Sequence, residues 1–411
     1  MHDKKRADVT TTRSMKTWVP ATVLFASFLD IFALLPTVAP YARSLGATTV
    51  TVGVVVGAYS FANLPANILG GILVDRYGRR RVIITSLIAA ALAVFAYSLA
   101  TSTGMLIITR LLHGIAGGVL MPAVFALASD RAKTGSHGRT FGKLGAVIGL
   151  AAVIAPASAG IIRQAGGFEA VFYTVTALFL GAAVFAAITI IDPARPDTSR
   201  QLASPQRDVF RTLLALPALR RALAATVMLT LAAGVLAAYL PDAADAAGAG
   251  ASTVGTLFTV YALFAGAVML SRVSRRIDMF GADRPAIAGL FVIAVGFAVF
   301  AVAPTVGLLA VGAAVFGAGY GLVFPAVSAQ TSLLTDVSVR GRAFGLFNVA
   351  FSVGLAFGPV TVGVVADAFA QTTPFTVAAA FLGLAAVGLN LFARRQVAID
   401  TPRHGPVGDG G

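Results

Sequence analysis

Residues 70–86 read GGILVDRYGRRRVIITS, in which Asp75, Arg76, Arg79, Arg80 and Arg81 crowd into one short turn between two long apolar runs. A chain that leaves a bilayer and re-enters it at once shows this pattern, because charge stays in water while the flanking runs cross the hydrocarbon. Two antiparallel helices must reverse here within very few residues, and Gly78 supplies a turn position free of a Cβ penalty.

The composition extends that reading to the whole chain. Of 411 residues, 57% are hydrophobic and 12% charged, and the mean hydropathy is +0.86. Soluble domains carry roughly a quarter charged residues, so a water-soluble core could not hide this much apolar surface. The 43 glycines and 18 prolines are compatible with spanning helices, where neighbouring helices re-satisfy the backbone. A β-barrel would show short alternating segments; the long unbroken runs here predict helices. The chain has no cysteine, which excludes a disulfide framework and a thiolate metal site. Its basic start followed by an apolar run from Trp18 resembles a signal peptide. The run continues to Tyr41, carries Asp30 and lacks a small-residue cleavage site, which predicts a retained first span.

Runs of about 20 apolar residues, the length that crosses the hydrocarbon, occur near 18–41, 50–74, 82–101, 104–129, 141–162, 168–191, 222–241, 253–272, 285–303, 306–333, 343–366 and 373–393. The expectation is an all-α integral membrane protein with twelve transmembrane helices in two six-helix bundles. Its parts are an N-terminal tail (1–17), a first bundle (18–191), a polar linker (192–221), a second bundle (222–394) and a C-terminal tail (395–411). All of the 31 Lys and Arg except Arg43, Arg110 and Arg163 fall on the tails, the linker and the loops of one side. Positive residues stay cytoplasmic, which places both termini inside, in the cell inner (plasma) membrane. The net charge of +14 is therefore topological. Anionic inner-leaflet lipid is a sufficient partner for it, and no nucleic acid is needed.

The halves repeat. One fixed offset lays Asp75, Gly78 and Arg81 on Asp278, Gly281 and Arg284, Gly118 and Pro122 on Gly321 and Pro325, GRTFG (138–142) on GRAFG (341–345), and Pro156 and Gly160 on Pro359 and Gly363. Six spans per half give both halves the same orientation, so two bundles related by an axis along the membrane normal should enclose a central cavity.

The stretch Gly71-Ile-Leu-Val-Asp75-Arg76-Tyr-Gly78-Arg79-Arg80 resembles the signature loop of the major facilitator superfamily. The resemblance spans about residues 18 to 394 and implies that Asp75, Arg76, Arg79 and Arg80 latch the bundles on the cytoplasmic side, with Gly71 and Gly78 shaping the loop. Gly71 would let the end of span 2 approach a neighbour closely. Asp75 could face a positive helix N-terminus. A plain positive-inside loop is the alternative.

Three ionisable residues lie away from span ends: Asp30 in span 1, and Arg110 and His113 in span 4. A mid-membrane charge costs roughly 2.5–3.5 kcal/mol on insertion scales, so such residues face a cavity and serve a purpose. An Asp30–Arg110 pair that forms in one state and breaks in the other would alternately release and bind a proton. A structural pair is the alternative. The run RLLHGIAGG (110–118) resembles the span-4 motif of proton-coupled members of the superfamily, with His113 where a Gln is more usual. His113 is either a proton relay or a neutral imidazole bonded within the bundle.

Ala155, Pro156 and Gly160 in span 5 resemble the glycine-proline signature of the superfamily's exporters, and Gly358, Pro359 and Gly363 in span 11 give a fuller form. Ordinary tight packing is the alternative. Candidate cavity polars are sparse: Tyr59, Ser60, Asn63 and Asn67 on span 2, then Tyr239, Tyr261, Tyr320, Gln330, Asn348 and Ser352. For each of them taken alone, bonding between helices is favoured over touching substrate. Sparse polars among many Phe, Leu and Met suit a lipophilic or amphipathic small molecule. The leading expectation is proton-coupled efflux by alternating access, in a monomer without a cofactor. The alternative is a proton-coupled permease for a polar metabolite, a sugar or an amino acid. The sequence shows no metal cluster, nucleophile–base pairing, phosphate loop or extramembrane domain, so an enzyme is not expected.

Overall fold

The structure is a computed structural model that describes residues 18–130, 137–190, 206–271, 283–333, 340–369 and 373–400. The tails 1–17 and 401–411, the linker stretch 191–205 and the loop carrying Asp278 and Gly281 lie outside the described residues, as do the side chains of 138–142.

Among the described residues the order is α1 (Trp18–Ser44), α2 (Thr49–Tyr77), α3 (Arg79–Phe95, continued by a 3-10 turn, Ala96–Leu99), α4 (Thr103–Asp130), α5 (His137–Thr189) and α6 (Gln206–Ala215). There follow α7 (Pro217–Ala246), α8 (Ala251–Leu270), α9 (Asp283–Ala301), α10 (Val306–Leu333), α11 (Arg340–Ala368) and α12 (Pro374–Asp400). All but α6 are long and apolar enough to cross a membrane. The apolar part of α5, Leu144–Thr189, is 46 residues long. At 1.5 Å per residue that is about twice a hydrocarbon thickness. The chain resolves this by breaking at Gly166 (φ −138°, ψ 16°) and Gly167 (φ 76°, ψ −170°). Two arms result, and the eleven spanning helices make twelve crossings. The short α6 falls inside the stretch expected to be polar linker, where Leu213 packs with Leu219 and Ala343.

The turn between α2 and α3 forms at Gly78, whose φ of +85° places it where a Cβ would strain the backbone. Its N–H closes α2 on the Val74 carbonyl at 3.0 Å.

The sequence repeat is a packing repeat. On α4 a Cβ at Gly114 would overlap the Tyr59 carbonyl of α2; on α10 a Cβ at Gly317 would overlap the Tyr261 carbonyl of α8. Gly118 against Asn63 and Gly321 against Ala265 repeat the arrangement one turn on. These contacts align α2 with α8 one residue short of the offset read from the loops. The turns agree: Gly46 (φ 82°) matches Gly248 (φ 75°) with that same shift. The bundles meet along two equivalent seams. Gly53 of α2 lies on the Pro359 backbone of α11, and Gly255 of α8 lies on the Pro156 backbone of α5.

Candidate functional site

The central site is built from α1, α2, α4 and the 3-10 turn after α3. Asp30 and His113 are each 1% exposed. His113 Nε2 lies 3.1 Å from Asp30 Oδ2, close enough for an ion pair. No hydrogen bond forms between them, however, and Nε2 and Asp30 Oδ1 have no hydrogen-bond partner. On the other side of the ring, His113 Nδ1 meets the Tyr97 hydroxyl at 2.9 Å.

Arg110 takes a different position from the one expected. Its Nε and Nη2 donate to the Val55 and Val56 carbonyls of α2, each at 3.2 Å. Its Nη1 reaches the Tyr97 hydroxyl at 3.4 Å. The guanidinium lies 5.1 Å from the centre of the Tyr59 ring, a cation–π distance. The expected Asp30–Arg110 pair is thus replaced by Asp30–His113, because Arg110 is spent on the carbonyls of its neighbouring helix. Sequence reasoning missed Tyr97, which lies on the 3-10 turn after α3 and reaches His113 from there.

A cavity of about 80 Å³ opens on this cluster, lined by Asp30, Leu34, Tyr59, Arg110 and His113 from the first bundle and by Ala237 and Leu355 from the second. A second cleft of about 240 Å³, lined by Phe61, Leu64, Pro65, Val353 and Phe357, also touches Ser60. Ser60 lines both. Drug-sized ligands occupy roughly 300–1,000 Å³, whereas a water occupies about 30 Å³. In this conformation the central cavity, apolar but for its cluster of polar side chains, matches a few waters, and the cleft beside it is the larger space.

Of the ten expected cavity residues, Tyr59 and Ser60 line the central cavity, and Ser60 and Ser352 line the cleft beside it. Asn63 donates to the Gly114 carbonyl at 3.3 Å and so ties α2 to α4, while Asn67, one turn on within α2, donates to the Asn63 carbonyl at 2.9 Å and to its Oδ1 at 2.6 Å. Tyr261 packs on Phe316 and Tyr320, and Tyr320 stacks on Phe324. Gln330 donates to Asp283 Oδ1 at 2.5 Å, and Arg221 to Asp283 Oδ2 at 2.9 Å, which ties α7, α9 and α10 together. Asn348 is exposed.

The exporter-like residues form the seams. Besides Pro156 and Pro359, Gly160 meets Ala251 and Ser252 of α8 across the seam, whereas Gly358 meets Leu231 of α7 within the second bundle, and Gly363 meets Tyr239 of α7 and, more distantly, Thr49 of α2. Ala155 is 2% exposed beside them.

The two ends of the molecule differ. At the end with the α1–α2 and α7–α8 turns, Arg43 Nη2 and Nε donate to Asp242 Oδ2 at 2.6 and 3.0 Å across the bundles. Nearby the Tyr239 hydroxyl donates to the Pro359 carbonyl at 2.6 Å and lies 3.3 Å from that of Thr49, while Thr259 Oγ1 donates to the Val153 carbonyl at 2.9 Å. At the opposite end Asp75 and Arg76 are exposed. Arg76 leans over Tyr77, Arg80 donates to the Ala187 carbonyl at 2.8 Å, and Arg79 begins α3. A Cβ at Gly71 would meet open space; it is Gly70 whose backbone touches α4, at Val119. The expected close approach is one residue earlier because Gly71 points off the α2–α4 contact.

Two six-crossing helical bundles around a buried charged cluster define a multi-pass integral membrane protein of the two-bundle class. Residues 21–241 and 222–409 both match the family model described as Major Facilitator Superfamily, and the chain belongs to that superfamily. It is 26% identical over 176 residues to the quinolone resistance protein NorA of Staphylococcus aureus (strain MRSA252), covering 43% of this chain and 45% of that one. It is 26% identical over 185 residues to multidrug resistance protein 2 of Bacillus subtilis (strain 168), covering 45% of this chain and 46% of that one. The chain thus matches a little under half the length of these curated relatives. Its fold is similar to that of a bacterial homologue of the human lysosomal transporter Spinster, with TM-score 0.77, 15% identity and 94% and 98% of the two chains covered. It is also similar to the nucleoside transporter NupG, with TM-score 0.72, 16% identity and 93% and 98% covered.

Proposed function

We propose that the protein is a secondary active transporter that exports lipophilic or amphipathic small molecules in exchange for protons, by alternating access in the plasma membrane with both termini cytoplasmic. The observation that carries this reading is Asp30: a carboxyl group buried between the bundles, one oxygen unpaired, on a cavity that both bundles line. Leaving such an oxygen without a partner is costly, and binding a proton there removes the charge. The names of the two bacterial relatives, for quinolone and multidrug resistance, support efflux of this substrate class. The apolar cleft at Phe61 and Phe357 supplies the complementary surface.

The difference between the two ends supports alternating access. The Arg43–Asp242 contact and the two seams close one end, while Asp75 stands exposed at the other. Rocking would open the first and bring the Asp75 loop into a latch. The test uses the full chain in proteoliposomes with an imposed pH gradient and a fluorescent quinolone as probe. Gradient-driven movement of the quinolone should fall more than about 100-fold in Asp30→Asn, while quinolone binding stays measurable. Coupling that survives in Asp30→Asn overturns the role of Asp30. Movement of a sugar or an amino acid but not of the quinolone overturns the efflux reading in favour of a polar-metabolite permease.

A further inference from the structure

The geometry points to His113, and not Arg110, as the second seat of the transported proton: the proton is shared between the Asp30 carboxyl and the His113 imidazole, and Arg110 is a positioning residue. This rests on the proton-coupled reading and identifies the groups that carry it out.

Three observations lead there. First, Asp30 has His113 Nε2 at 3.1 Å, while Arg110 is bound to two backbone carbonyls and to Tyr97. Second, the hydrogen-bond chain fixes the imidazole. Arg110 only donates, so the Tyr97 oxygen accepts from it, and the same hydroxyl meets His113 Nδ1 as donor or acceptor according to the tautomer of the ring. In either tautomer Nε2 is the ring nitrogen that faces Asp30. Third, packing does not demand an imidazole at this position. Aligned through Gly114 with Gly317, the counterpart of His113 is Phe316, which is fully buried at the same helix crossing. The counterpart of Tyr97 is Phe300, 3% exposed. The second bundle thus fills the same slots with hydrocarbon rings, and the first has polar groups where rings suffice.

The other ionisable groups facing the pair are Tyr59 from α2, Tyr97 from the turn after α3 and Arg110 from α4. The arms and helices around it add Phe179 from α5, Ala237 from α7 and Leu355 from α11. On uptake, one proton adds to the pair. A carboxylate with a neutral imidazole becomes either a carboxylic acid with a neutral imidazole or a carboxylate with an imidazolium. With Nδ1 carrying the ring hydrogen and donating to the Tyr97 oxygen, a carboxylic acid facing bare Nε2 and a carboxylate facing an imidazolium differ only by transfer across the Asp30–His113 gap. Tyr97 holds the ring in place, and Arg110 holds Tyr97 and α2.

The experiment measures gradient-driven quinolone movement against pH for the full chain and for His113→Gln, His113→Phe and Arg110→Lys. The wild-type rate should change by about tenfold across the pH series. In both His113 variants it should change by less than about twofold, and in Arg110→Lys the step should persist at a lower rate. Phenylalanine is the ring that the second bundle accommodates, and glutamine retains hydrogen-bonding capacity, so at least one variant keeps the fold. A pH step that survives in His113→Gln or His113→Phe overturns the proposal, as does a step lost in Arg110→Lys. Asp30→Asn separates the two readings: if it stays coupled, proton transport through this site fails altogether. If it is inactive while the His113 variants keep the step, only the role of His113 fails.

Discussion

The two bundles repeat one scaffold and place opposite chemistry in it. In the first, Tyr97 stands edge-on to Phe172 with centroids 5.5 Å apart; in the second, Phe300 and Phe375 occupy the counterpart positions at 5.2 Å. Where the first has Arg110 and His113, the second has Ala313 and Phe316, both fully buried. Counted back from the matching Gly46 and Gly248 turns, Asp30 corresponds to Ala232, also fully buried. The fold therefore needs shape at these positions and does not need charge. Charge inside a bilayer is expensive, so a polar cluster confined to one of two equivalent slots marks function, and the silent bundle serves as an internal control.

The largest effect that tests this equivalence comes from the helix crossings. Gly114→Leu and Gly317→Leu each force a side chain onto the backbone of the facing helix. Each should cost about 3 kcal/mol or more in unfolding from detergent. Near-equal losses support the equivalence; a tolerated Gly317→Leu beside a damaging Gly114→Leu breaks it.

A smaller effect comes from moving the chemistry across. Phe316→His puts an imidazole where Phe300 offers no hydroxyl, and the unpaired group should cost about 1–3 kcal/mol in the same unfolding measurement. Adding Phe300→Tyr should return about 1 kcal/mol by restoring one hydrogen bond. No recovery would show that the two slots are not superposable at the level of side chains.

The smallest effect belongs to the two ends. The Arg43 and Asp242 side chains are 32% and 31% exposed, and pairs of that kind contribute about 0.2–1 kcal/mol. Arg43→Ala should therefore open the closed end only modestly. Because the chain has no cysteine, Ser60→Cys gives a unique label on the central cavity. Its labelling by an impermeant reagent from the Arg43 side should rise by up to about fivefold in Arg43→Ala. The exchanged pair Arg43→Asp with Asp242→Arg should return it to the starting rate. An unchanged rate in Arg43→Ala shows that the α2–α11 and α5–α8 seams hold this end without the ion pair.

The sequence by itself determined the crossings, the repeat and the polar residues worth asking about. Hydropathy is a property of composition within a window, and a charged turn such as Asp75 to Arg81 is legible without coordinates. The breaking of one long apolar run at Gly166 and Gly167 was legible too, because a bilayer sets the length of a span. Asp30, Arg110 and His113 stood out for the same reason: charge in hydrocarbon needs a cause. Only the tertiary structure decided who pairs with whom. Arg110 and His113 share a helix face, and spacing gives no reason to prefer one as the partner of Asp30. The Val55 and Val56 carbonyls that hold Arg110 belong to another helix, and so does the Tyr97 hydroxyl that orients His113. Nor could pattern reading separate Gln330, which is tied to Asp283, from a cavity residue, or find Asp242 opposite Arg43. Periodicity describes one helix at a time, whereas a hydrogen bond between helices depends on their relative rotation and depth, which are set by close contacts such as Gly114 on Tyr59.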